Sequence, residues 1–128
     1  MRFSLDATAR TPAILLDDEA AKLSLIGESY PEDVPTFYEQ IHNQLESYFA
    51  DYKGAFSVDI KLTYFNSSSA RALMEFLDML DSEAETGRQI TIAWYCDPDD
   101  DITREFAEDI SADVDNISVD IMELESNA

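Results

Sequence analysis

Asn66-Ser67-Ser68-Ser69 is the segment whose residue types and position point most directly to chemistry. It follows a run that alternates apolar and polar residues and precedes one with three-four apolar spacing, so a strand hands over to a helix here. The first turn of a helix leaves backbone N–H groups without partners, and Asn or Ser oxygens satisfy them. A cap uses one or two such residues, and four in a row leave hydroxyls over. A phosphoryl group here would meet free N–H groups and the positive end of the helix dipole, and would add roughly two negative charges. From the residues alone, the segment is either a cap or the acceptor of a phosphorylation switch.

The other reactive residue types carry less. The acidic loop Asp97-Pro98-Asp99-Asp100-Asp101 offers carboxylate oxygens of the kind that hold Mg²⁺ or Ca²⁺. It lacks the alternating ligands and the glycine of a calcium-binding hand loop, and a solvated loop that caps the next helix accounts for it. His42, the one histidine, stands mid-helix beside Ile41 with no nucleophile motif around it. Cys96, the one cysteine, follows Trp94-Tyr95 at a strand end, and packing suits it better than reactivity because acidic surroundings disfavour a thiolate. Gly27, Gly54 and Gly87 are too scattered to form a phosphate-binding loop. No catalytic residue, metal ligand set or cofactor follows from these residues. Two alternatives to a switch stand: a constitutive acidic scaffold, or a metal-binding domain built on Asp97–Asp101.

Apolar spacing indicates the elements that position these residues. The first ten residues read as polar and mobile, and the ends 1–7 and 125–128 as flexible. Ile14-Leu15-Leu16 and Leu23-Ser24-Leu25-Ile26 form two short strands of a hairpin, turning through Asp17-Asp18-Glu19. Gly27 closes the second strand and Ser29–Asp33 is turn chemistry. From Pro35, Phe37, Ile41, Leu45 and Tyr48 repeat at helical spacing, ending near Lys53-Gly54. Phe56, Val58, Ile60, Leu62 and Tyr64 alternate with polar residues as the clearest strand. Ala70, Leu73, Leu77, Leu80 and Ala84 mark an amphipathic helix that stops near Gly87. Ile90, Ile92 and Trp94 form a strand, about Thr103 to Ser111 a short helix, and Ile117, Val119 and Ile121 a last strand.

The order is β-β-α-β-α-β-α-β, an α/β domain with a mixed, mostly parallel sheet. Strands covered on both faces read as continuous apolar runs, yet Phe56–Tyr64 alternates cleanly. Helices therefore cover one face, which makes a single two-layer domain and argues against a doubly wound nucleotide-binding fold.

At 128 residues the chain fits one core, and 45% hydrophobic residues suffice to build it. With 28 acidic residues against 8 basic ones the formal net charge is −20, which repels phosphate backbones and anionic lipids. Neither nucleic acid nor membrane is an expected partner. A basic partner surface or cations would relieve the repulsion, and simple solubility accounts for the charge equally well. A lone thiol suits a reducing compartment, and no basic-then-apolar start reads as a signal peptide, so a soluble cytoplasmic protein is expected.

Thr11-Pro12, Gly27-Glu28-Ser29-Tyr30-Pro31-Glu32, Tyr64-Phe65-Asn66-Ser67-Ser68-Ser69 and Trp94-Tyr95-Cys96-Asp97 with its acidic tail occur in this order. Together they resemble the SiaC family of bacterial regulatory phosphoproteins over about residues 8 to 124. The resemblance implies a STAS-like architecture and a partner-switching protein that is not itself an enzyme. It implies a cognate Ser/Thr kinase, a PPM-type phosphatase, and an unphosphorylated form that activates a diguanylate cyclase, raising cyclic-di-GMP and favouring biofilm growth. The family motif usually reads Asn-Thr-Ser-Ser with the Thr modified. Ser67 holds that place here and keeps the hydroxyl, so it is the implied phosphoserine, with Ser68 in reserve. Cys96 stands where a second Tyr usually follows Trp-Tyr. The expected partner face comprises Tyr30, Pro31, Glu32, Tyr64, Asn66, Ser67, Ser68, Ser69 and Arg71. The reading is compatible with a homodimer.

Overall fold

The computed structural model describes residues 3–123. Along the chain run β1 (Phe3–Leu5), β2 (Ala13–Asp17), β3 (Lys22–Ser29), α1 (Val34–Asp51), β4 (Phe56–Phe65), α2 (Ser67–Ala84), β5 (Ile90–Cys96), α3 (Asp101–Ala112) and β6 (Ser118–Glu123). The six strands lie side by side in chain order. β1, β2 and β3 pair antiparallel, and β3 to β6 pair parallel.

Register explains the alternation. Phe56, Val58 and Ile60 of β4 stand beside Ile90, Ile92 and Trp94 of β5, and all six are buried. Ser57 and Asp59 stand beside Thr91 and Ala93 on the other face, where none is buried. Each parallel crossover moves one strand further in the same direction, and right-handed crossovers then place α1, α2 and α3 on one face. The two-layer α/β architecture inferred from the alternation is the one observed. On the open face, Lys22 Nζ pairs with Asp59 at 2.7 Å and Lys61 Nζ lies 4.8 Å from the Tyr95 ring centroid.

Two stretches differ from expectation. The tail read as mobile contains β1, whose Phe3 and Leu5 pack against the core. Three alternating residues among polar neighbours are too few to signal a strand. The expected flexible end at 125–128 lies outside the described residues. Gly27 does not close β3. At a φ of 128° it starts a register shift toward β4, and the strand continues past this bulge to Ser29. The bulge carries the strand on until the Ser29 side chain is buried beneath the start of α2.

Each helix begins on a side-chain cap. Asp33 accepts from Thr36 N at 3.2 Å, Asn66 from Ser69 N at 2.9 Å, and Asp100 from Thr103 N at 3.0 Å. Beyond the far end of α2, buried Arg88 ties the amino-terminal edge of the sheet together. Its guanidinium donates to Glu83 Oε1 at 3.1 Å, Gly54 O at 2.9 Å and Phe49 O at 3.1 Å, and lies 4.5 Å from the Phe49 ring centroid. Among the described residues no helix is long and apolar enough to cross a membrane.

Candidate functional site

β4 ends at Phe65 and α2 begins at Ser67, so a single residue makes the step. Asn66 fills it as cap, with its backbone N–H donating to Ser29 O at 3.3 Å. Because β2 is antiparallel to β3, and β3, β4 and β5 are parallel, Thr11-Pro12, the end of β3, the β4–α2 step and the Cys96-Asp97 corner share one edge of the sheet. Loops at the carboxyl ends of parallel strands are where α/β sheets place binding sites.

The three serines have different fates. Ser69 is fully buried. Its Oγ accepts from Ser29 Oγ at 2.9 Å, and Ser29 Oγ lies 2.7 Å from Tyr38 Oη. Ser29 has one proton and spends it on Ser69, so Tyr38 donates to Ser29. Burial pushes the Tyr38 phenol up to about 12, a rise the two serine hydroxyls only partly offset, so it remains a protonated donor at physiological pH. This chain of hydroxyls fastens β3, α1 and the first turn of α2. Ser69 was expected on the partner face. It is instead inside the fold, occupying the core stripe one turn before Leu73.

Ser67 and Ser68 are both exposed. One residue step turns a helix by about 100°, which sends the two side chains to different sides of α2. Ser67 lines a groove of about 380 Å³ toward α3, with Tyr64, Phe65, Ile102 and Phe106. Ser68 lines a larger groove of about 700 Å³ toward α1, with Pro31, Glu32, His42 and Arg71. The nominated residues thus gather at one edge but divide between two grooves. Asn66 lines both. Tyr30 joins the Ser67 side through an edge-on contact with Tyr64 at 5.6 Å, and Glu32 pairs with Arg10 at 3.0 Å.

The grooves differ in charge. The Ser67 groove has Asp100 as its sole charged lining residue among those described. Arg71 shares the Ser68 groove with Glu32, Asp33, Glu39, Glu46 and Glu75. Residue types gave no hint of Ile102 and Phe106 as groove residues. The available signal was Ile102 itself, an apolar residue just after the Asp99-Asp100-Asp101 run, left 82% exposed by the fold.

The metal alternative finds no geometry in the acidic loop. Asp97 Oδ1 accepts from Asp99 N at 2.9 Å, and Asp100 caps α3 with both carboxylate oxygens. Those bonds, the Thr103 hydroxyl foremost, hold the Asp100 carboxyl below the usual carboxylate range. Among the described residues no three His, Cys, Asp or Glu side chains converge as a metal site would need. Cys96 is buried, and that burial pushes its thiol up, against reactivity. His42 is half-buried on α1 with its ring 6.2 Å from that of Phe76.

Comparison with known proteins agrees along the whole domain. The pattern of the SiaC family regulatory phosphoprotein matches residues 5–124. An uncharacterized protein of Pseudomonas aeruginosa (strain UCBPP-PA14) is 34% identical over 109 residues, which cover 85% of this chain and 86% of that one. The crystal structure of apo-SiaC from Pseudomonas aeruginosa is 32% identical over 94% of this chain and 97% of its own, with a TM-score of 0.84. A further match, from the crystal structure of the diguanylate cyclase SiaD in complex with its activator SiaC from the same organism, is 31% identical. It covers 95% of this chain and 99% of its own, with a TM-score of 0.88.

Proposed function

The chain belongs to the SiaC family of regulatory phosphoproteins, and from that premise we propose that it is a partner-switching protein controlled by phosphorylation at Ser67. Unphosphorylated, it binds and activates a diguanylate cyclase in the cytoplasm, raising cyclic-di-GMP and favouring biofilm growth. A cognate Ser/Thr kinase ends the interaction and a PPM-type phosphatase restores it, while the chain performs no catalysis of its own. The observation that carries this reading is the solved complex of a cyclase with its activator, a relative matched over 95% of this chain.

The geometry supports Ser67 as the switch. Its hydroxyl is exposed at the first position of α2, within reach of a kinase. In the free protein a phosphoryl group there gains from the helix dipole and stays hydrated. In a complex packed into the same groove it loses water against Phe106 and Ile102, with Asp100 as the charged group nearby. A dianion buried without a cation is costly, so phosphorylation favours the free state. Ser68 is the reserve acceptor. A phosphoryl group there shares its groove with Arg71 but also with Glu32, Asp33, Glu39, Glu46 and Glu75, so it adds to a surplus of negative charge.

Two measurements test the reading. Phosphopeptide mass spectrometry after incubation with the cognate kinase should place the modification on Ser67. A modification confined to residues outside 67–69 would remove the site. Ser67→Ala should bind and activate the cyclase like the natural chain, whereas Ser67→Asp should lose affinity. Equal affinities would count against a charge switch.

A further inference from the structure

Beside the Ser67 groove lie two features whose role in partner contact is not yet assigned: the carboxylates of the loop Asp97–Asp101 and the exposed apolar pair Tyr64 and Ile102. They are parts of one surface. The groove beside Ser67 has Phe65 and Phe106 among its walls, with Tyr64 and Ile102 left 52% and 82% exposed. At Thr63 and Asp100 it meets a second recess of about 340 Å³, whose walls include Asp97 and Asp99. No described ion pair involves these three aspartates. Ile102 contributes little to the core at that exposure, and exposed apolar groups beside a groove mark interaction surfaces.

We infer that groove and recess together form a two-part docking surface for a basic amphipathic segment of the partner. An apolar side chain of that segment enters between Tyr64 and Ile102, and a neighbouring Lys or Arg meets Asp97 and Asp99. The inference rests on the partner-binding function proposed above and specifies the chemistry of the partner's contact. Charge complementarity selects the occupant: the recess is purely acidic in its charged groups, and a chain at −20 steers basic surfaces toward itself. An acidic segment would meet repulsion at the recess. Ser67 lines the apolar groove and not the recess. Its phosphoryl group therefore lands on the half of the surface that receives an apolar side chain, away from the aspartates that receive the basic one.

The test titrates the ¹⁵N-labelled 128-residue chain with two short synthetic amphipathic helices sharing a leucine face, one bearing lysines and the other glutamates. The lysine helix should first shift the amide signals of Thr63, Asp99 and Ile102, and the glutamate helix should leave them unmoved. Ile102→Ser should weaken the lysine helix about tenfold. Asp97→Asn with Asp99→Asn should weaken it severalfold and remove much of its salt dependence. Shifts centred on the α1–α2 groove or the open sheet face would overturn the proposal, as would Ile102→Ser binding like the natural chain. The same variants against the diguanylate cyclase separate this inference from the function it rests on. Cyclase binding lost in Ser67→Asp but intact in Ile102→Ser discards the docking surface and keeps the switch. Localised lysine-helix binding by a chain that binds no cyclase keeps the surface and discards the cyclase.

Discussion

Helix α2 is held in opposite ways at its two ends. Past its carboxyl end, Arg88 is buried and makes three charge-assisted bonds to α1, to the residues before β4 and to α2 itself. At its amino end the fastening is neutral: the Asn66 cap and a chain of three hydroxyls, Tyr38, Ser29 and Ser69. A neutral bond contributes on the order of 1 kcal/mol, and bonds to a charged group about twice that. The far end therefore holds the fold, while the near end is capped without fixed charge. The phosphoryl group proposed for Ser67 would then have little effect on the scaffold. A charged clamp at this end would couple such a modification to folding.

This contrast sets an order of expected effects. Arg88→Ala leaves Gly54 O without its partner and Phe49 O with only the long 3.5 Å bond from Lys53 Nζ, and should cost about 3 kcal/mol in urea unfolding, with partner affinity unchanged in the folded fraction. Loss of binding at unchanged stability would break the division between the two ends. Alkaline pH should come next. Tyr38 holds its proton up to about 12 in the fold, against 10.0 ordinarily, so between these values the folded chain binds more protons than the unfolded one. Its contribution is intact below pH 10 and is lost as pH rises toward 12, a fall of about 2–3 kcal/mol that Tyr38→Phe should remove from the stability profile.

Smaller effects sharpen the comparison within the site. Ser69→Ala shortens the hydroxyl chain while Ser29 keeps Tyr38, so about 1–2 kcal/mol should be lost in thermal or urea unfolding. Ser67→Ala, two residues away, should stay within about 0.5 kcal/mol of the natural chain. Equal costs for the two would mean that Ser67 is also part of the fastening.

How much of this was readable beforehand depends on the strength of each local pattern. The β4 alternation from Phe56 and the spacing Leu73, Leu77, Leu80 in α2 were plain, because burial on one face imposes a period directly on the residues. β1 was hidden because Phe3 and Leu5 are only two apolar residues, stabilised by pairing with β2. Gly27 looked like a terminator because glycine serves turns and bulges alike, and register with β4 decides between them. The fate of Ser69 was in part legible: it lies four residues before Leu73, in phase with the core, but its type outweighed its position. The division of Ser67 and Ser68 between two grooves needed the placement of α1 and α3, which no local spacing carries.

The central claim is that a phosphoryl group on Ser67 controls partner binding while the fold stays the same. Its most direct test is the affinity of the 128-residue chain for the proposed diguanylate cyclase partner, measured by calorimetry before and after stoichiometric phosphorylation, with unfolding followed on the same samples. The account expects affinity to fall by about 100-fold or more, on the order of 2.7 kcal/mol, with stability shifted by less than about 1 kcal/mol. Unchanged affinity, or a loss matched by an equal loss of stability, would contradict it.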